Sequence, residues 1–305
     1  VVLWFAGKHA ESEVLFRQLV TDLPKDPVPH LYLGLAAHGR AQYADAHRQF
    51  ESAGELATAN PDVVPEVLES YLATGDRSVL ANATQLVPSA RSPELSLRTA
   101  AVLDKYGCAE QAYEVYRSAL EFAPSHEPLY VALASFASAH ENNGYGLQIL
   151  DRGLKLIPGS AALYFHRGLL SALDGKRDQA LADLNKAAAA NRQWPLPVLA
   201  KGVLQLESGQ SAESADTFAS VLREHPDDPS AAYLRALALN RTGDPTSRTE
   251  QIRLLESAVR TKSDDSRALT LLGRIYAESG RQKEAIECLR KAVKADSRNA
   301  TAEYQ

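Results

Sequence analysis

Apolar and small residues along the chain follow a helical beat, and the beat itself recurs. In residues 266–299, Leu269, Leu272, Gly273 and Tyr276 form one stripe at i, i+3, i+4 and i+7. Ala285, Leu289 and Ala292 form a second. Such spacing puts each set on one face of an α-helix. The polar run Glu278-Ser279-Gly280-Arg281 divides them. A glycine there can take the positive φ that ends a helix, so the pattern predicts two helices of about 13 residues, each roughly 20 Å long.

The same arrangement repeats at intervals of 34 residues. Ala119, Gly153, Ala187 and Val221 lie on one grid, which continues after a three-residue insertion as Ala258 and Ala292. Tyr116, Leu150, Leu184 and Phe218 lie on a second grid, continued by Leu255 and Leu289. Gly107, Gly175, Gly209 and Gly243 mark the turn within the unit, with Glu141 in the vacant slot. Pro124, Pro158 and Pro226 mark the turn between units, with Arg192 in theirs. Proline blocks helix continuation there. No unit buries both of its stripes alone, whereas stacking on neighbours buries them. The pattern therefore predicts an all-α fold, an α-solenoid of tandem helix-turn-helix repeats.

These residues resemble the tetratricopeptide repeat. That family has a bulky residue at position 4, Leu-Gly at 7–8, Tyr at 11, Gly at 15, Ala at 20, an aromatic at 24, Ala at 27 and Pro at 32. Residues 266–299 fill those slots with Leu269, Leu272, Gly273, Tyr276, Gly280, Ala285, Leu289 and Ala292, while Ser297 replaces the proline. Residues 161–194 supply Tyr164, Gly168, Gly175, Ala180, Leu184 and Ala187, and residues 27–60 supply Leu33, Gly34, Ala46, Phe50 and Ala53. The resemblance implies a right-handed superhelix. It sets units at 27–60, 61–92, 93–126, 127–160, 161–194, 195–228, 229–265 and 266–299, in a single array over residues 1–305. Residues 1–26 read as a partial repeat and 300–305 as the start of a further one. Both ends cut a repeat and methionine is absent, so a longer protein is expected.

Composition narrows the function. The chain has 305 residues, 45% of them apolar and 23% charged, as soluble folded chains do. Its net charge of −5 disfavours nucleic acid as the main partner, because phosphate binding calls for a basic surface. No apolar run approaches the ~18 residues of a membrane span. Cys108 and Cys288 are too few for a disulfide framework. Low cysteine usage fits a bacterial cytoplasm or periplasm equally, so the compartment stays open.

No catalytic, cofactor or metal constellation emerges, and no enzyme is expected in this segment. The eight histidines never take the His-Glu-x-x-His spacing that puts two ligands on one helix face. His126 and His225 read as solvated loop residues beside the proline slot. Asp227-Asp228 and Asp264-Asp265 precede helices, where carboxylates cap the free N–H groups. Gly144-Tyr145-Gly146 lacks the preceding strand of a nucleotide loop and reads as a close approach of two helices.

The resemblance also implies a ligand-facing inner surface on the first helix of each unit, at positions 2, 5, 9, 12 and 13. Those slots hold an apolar ladder of Val131, Phe165, Leu169, Leu199, Val203, Tyr233 and Leu237, with Ser135 beside it. Asn240, Arg241, Arg267 and Arg274 make a polar, basic end. Four repeats give a strip of roughly 40 Å, room for about 12 extended residues. Burying four such side chains is worth about 6–12 kcal/mol. Association costs about 4–15 kcal/mol, so micromolar binding is expected. The bland alternative is that the ladder packs only between repeats. The lysine and asparagine of the family's carboxylate clamp are missing, with Leu31, Leu97, Val131 and Phe165 standing at the lysine slot.

The expected function is a non-catalytic scaffold that binds a peptide or helix of a protein partner. One alternative is a recruiting arm of an enzyme whose catalytic domain lies outside this segment. A second is self-association through the array ends.

Overall fold

The computed structural model describes residues 1–295, and within them every regular element is helical. Contacts divide the chain into two compact units, the first Val1–Pro158 and the second beginning at Gly159. Ser297 and residues 300–305, to which the sequence pattern assigns a missing proline and a new repeat, lie outside the described residues.

The first unit holds α1 (Val2–Phe5), α2 (His9–Asp22), α3 (Pro27–Gly39), α4 (Tyr43–Ala53), α5 (Glu55–Thr58), α6 (Val64–Ala73), α7 (Leu80–Ser89), α8 (Pro93–Lys105), α9 (Ala109–Phe122), α10 (Glu127–Ala139) and α11 (Asn143–Leu156). The second holds α12 (Ala161–Leu173), α13 (Arg177–Ala190), α14 (Leu196–Glu207), α15 (Ser211–Glu224), α16 (Pro229–Thr242), α17 (Arg248–Thr261), α18 (Ser266–Glu278) and α19 (Gln282–Ala295). Helices α8, α10 and α12 start at Pro93, Glu127 and Ala161, 34 residues apart.

Helix starts follow from capping. Asp26, Ser92 and Asp228 each precede a proline and accept a hydrogen bond from a backbone N–H of the first turn. Asp265 accepts from both Arg267 and Ala268. Proline at the first helical position gives up only an N–H that has no helical partner. Gly243 ends α16 at φ +71°. Glu141 fills the vacant glycine slot and still takes φ +59°, so the turn geometry persists without the favoured residue. The insertion after Gly243 is absorbed by a 3₁₀ turn at Pro245–Ser247, whose first N–H groups Asp244 caps.

Each helix packs on the next in both units: α3 on α4, α4 on α6 and α8 on α9 in the first, then α12 on α13 through α18 on α19 in the second. The predicted stripes are the core. Phe50, Leu150, Leu184, Phe218 and Leu255 are fully buried, as are Ala46, Ala119, Ala187 and Ala292. The close approaches are at Gly34, Gly168, Gly202 and Gly273. Gly144 faces open space, so the approach expected at Gly144-Tyr145-Gly146 is not made by its first glycine.

A polar network ties repeats together in the first unit. Glu69 on α6 accepts from His38 Nε2 of α3 at 2.9 Å and from Lys105 Nζ of α8 at 2.6 Å. Trp4 is half-buried among Phe16, Tyr32 and His9, whereas Phe5 is exposed.

Candidate peptide-recognition site

Helices α12, α14 and α16 are the first helices of successive repeats in the second unit, and α14 touches both of the others. Leu169 of α12 and Val203 of α14 line an open cleft of about 670 Å3. Ala172, Leu173, Ala200 and Leu204 complete its apolar wall, and Arg177 and Glu207 stand at its edge. Leu173 is 70% exposed, an unusual state for a leucine at a helix end facing a cleft. A surface of this kind can accept an apolar segment of a partner while the two charged edge residues stay wet.

The rest of the predicted ladder behaves differently. The Phe165 ring is half-buried against Trp194, with centroids 4.7 Å apart. Leu199 is buried in the core around Phe218. Tyr233 and Leu237 are half-buried against the core formed by α16, α17 and α18. Val131 and Ser135 lie on α10 of the first unit, half-buried and exposed respectively.

The basic end is internally compensated. Arg267 lies over the Tyr233 ring at 5.3 Å and is paired with Asp265 at 3.2 Å. Arg274 stands 3.9 Å from Glu278, which also receives Arg248. Arg241 donates to the Leu206 carbonyl at 3.4 Å, beside half-buried Asn240. Burial pushes the Tyr233 hydroxyl above the usual phenol range. It works against ionisation of Asp265 too, but Arg267 and the Ala268 N–H outweigh it and hold the carboxyl low.

Behind the cleft, α12 is fixed to α13 by a buried ion pair. Arg167 donates from Nε and Nη2 to the two oxygens of Asp183, at 2.7 and 2.6 Å. Asp183 is almost fully buried. Two parallel charge-assisted bonds set the rotation of α12, and with it the direction in which Leu169 and Leu173 point.

Among the described residues no group of His, Cys, Asp and Glu is arranged to hold a metal ion, and no helix is long and apolar enough to cross a membrane. Cys108 is buried and Cys288 half-buried, its thiol pushed up by burial. His126 and His225 are half-buried rather than solvated, and His126 Nε2 has no hydrogen-bond partner.

Residues 204–304 match the family described as "Psidin, N-terminal TPR repeats region". Among solved structures, the fold is similar to that of PilF from Pseudomonas aeruginosa, with a TM-score of 0.57 at 16% identity over 71% of this chain and 97% of that one. It is similar also to a tetratricopeptide repeat protein from Parabacteroides merdae, with a TM-score of 0.51 at 19% identity over 80% and 96%. Over residues 204–304 the chain thus matches a tetratricopeptide repeat (TPR) family, and its fold is that of TPR solenoids. It is 26% identical over 275 residues to Cellulose synthase operon protein C of Escherichia coli, covering 78% of this chain and 24% of that protein. The chain thus spans about a quarter of that relative's length.

In the TPR frame Leu169 and Val203 occupy position 9 of their repeats and Leu173 occupies position 13. Position 13 is among the ligand-facing slots of the family, yet Leu173 is absent from the ladder drawn from positions 5 and 9. The available signal was a leucine directly before the Asp174-Gly175 turn, where a polar residue ends most of the other first helices.

Proposed function

We propose that this chain is a non-catalytic protein-recognition scaffold. Its cleft between α12 and α14 takes an apolar peptide or helix from a partner protein. The observation that carries the reading is Leu173, exposed beside Leu169 and Val203 at an open cleft large enough for several partner side chains. Burial of two or three such side chains contributes about 3–9 kcal/mol, against an association cost of about 4–15 kcal/mol. The result is weak, exchangeable binding.

The compensated arginines change the expected partner. Asp265 and Glu278 already answer Arg267 and Arg274, so an acidic end on the bound segment gains little there. An uncharged amphipathic segment fits this cleft better.

The test is capture from native extract with the wild-type chain and with Leu169→Ser plus Leu173→Ser, after both show the same helical circular dichroism. Partners held by the wild type and lost by the variant support the cleft. Equal capture by both rules it out. The partial match to Cellulose synthase operon protein C favours a second reading, in which these repeats are the recruiting arm of a longer protein. The full reading frame decides that.

A further inference from the structure

A second cleft of the second unit lies at the turns that join one repeat to the next. It has a volume of about 390 Å3 and is lined by Arg192, Arg223, Glu224 and His225 over a floor that includes Val198 and Val221. Arg192 belongs to the turn after α13, and Arg223 and His225 to the end of α15. Neither arginine takes an ion-pair partner among the described residues. Elsewhere in this unit Arg167, Arg235, Arg248, Arg253, Arg267, Arg274 and Arg281 are answered by carboxylates, while Arg177, Arg260 and Arg290 share the unanswered state but not this cleft.

The position of Arg192 is built rather than incidental. Asn191 Oδ1 accepts from the Gln193 N–H at 3.2 Å, and the Trp194 N–H donates to the Asn191 carbonyl at 3.2 Å. Trp194 is held against Phe165, and Pro195 and Pro197 stiffen the following backbone. On the other side the His225 N–H donates to the Val221 carbonyl at 2.8 Å. Two guanidinium groups are therefore presented to one cleft, one from a restrained turn and one from a helix end, against the single carboxylate of Glu224. Unpaired guanidinium forks favour oxyanions, and the aliphatic floor favours the shaft of a side chain over a bare ion.

The geometry points to this cleft as a docking site for an acidic peptide segment of a partner protein, with a carboxylate seated between Arg192 and Arg223. It depends on the protein-recognition reading only for the nature of its occupant, because the residues differ from those of the apolar cleft. The surface is complementary in charge to such a segment although the whole chain carries −5.

Fluorescein-labelled hexaglutamate is titrated into the full chain at low salt and followed by anisotropy. Saturable binding is expected, weakening as salt rises. Arg192→Gln plus Arg223→Gln is expected to weaken it at least tenfold with unchanged circular dichroism and melting temperature. Arg253→Gln plus Arg290→Gln removes the same charge elsewhere in the unit and is expected to leave binding within twofold. Leu169→Ser plus Leu173→Ser is expected to leave it unchanged too, which separates this site from the apolar cleft. Absence of hexaglutamate binding overturns the proposal, as does equal weakening by the two arginine pairs. Competition by millimolar inorganic phosphate as strong as by unlabelled hexaglutamate also overturns it, since a small-anion site then replaces a peptide surface.

Discussion

The Phe218 ring stands 2.5 Å from the point that a β-carbon on Gly202 would occupy. Gly202 is on α14 and Phe218 on α15, so a missing side chain on one helix receives the ring of the other. The same relation joins Gly34 to Phe50 at 2.6 Å and Gly273 to Leu289 at 2.7 Å. Gly202→Ala is expected to cost about 1–3 kcal/mol by overpacking. Phe218→Ala is expected to cost about 3–5 kcal/mol by leaving a cavity. Gly202→Ala combined with Phe218→Ala should lose less than the two single changes added together. Urea unfolding of the four chains checks this, and strict additivity would refute the interlock.

The Arg167–Asp183 pair makes a different demand. Removing one partner leaves a buried charge, so Asp183→Ala is expected to destabilise by about 3–5 kcal/mol. Replacing both, as Arg167→Leu with Asp183→Leu, is expected to recover most of that loss. A double variant as unstable as Asp183→Ala would show that the pair does more than satisfy itself.

Glu69 predicts an acid sensitivity in the first unit. Burial opposes its ionisation, but hydrogen bonds from Lys105 and His38 outweigh this and hold its carboxyl below the ordinary 4.5. A depressed carboxylate stabilises the fold above its unfolded-state pKa, and that stability is lost as pH falls through the lower folded-state value. Thermal melts should show Glu69→Gln below wild type at pH 7, with the gap closing as pH falls below the ordinary glutamate range. Parallel curves for the two chains across that range would count against the network.

Leu173 separates recognition from stability. It is 70% exposed, so Leu173→Gln is expected to change unfolding free energy by no more than about 0.5 kcal/mol. Capture of the apolar partner should nevertheless fall several-fold. A large loss of stability would mean that Leu173 packs in solution.

Helix stripes were readable from residue order because a buried face must be apolar at 3.6-residue spacing whatever its neighbours are. Phe50, Leu184, Phe218 and Leu289 were placed in the core on that ground, and all are buried. Chain order says less about the site. Leu199 and Leu169 look alike in sequence, and only the packing of α14 on α15 buries one while leaving the other at a cleft. The arginines at positions 267 and 274 read as free charge because their partners, Asp265 and Glu278, sit where capping and helix-end residues are expected. Arg192 stands in the sequence only as a gap in the proline series, and Arg223 only as a polar residue at the end of α15, so residue order does not show that the two line one cleft.

Because every helix touches mainly the helices next to it in the chain, contacts in this protein are short in sequence. Closing them costs little loop entropy, so folding can begin at any repeat and spread to its neighbours. Opening is local for the same reason. Loosening α14 should raise amide exchange in α13 to α16 and leave α18 protected, so a partner seated on α12 and α14 would act as a clip across that stretch of chain.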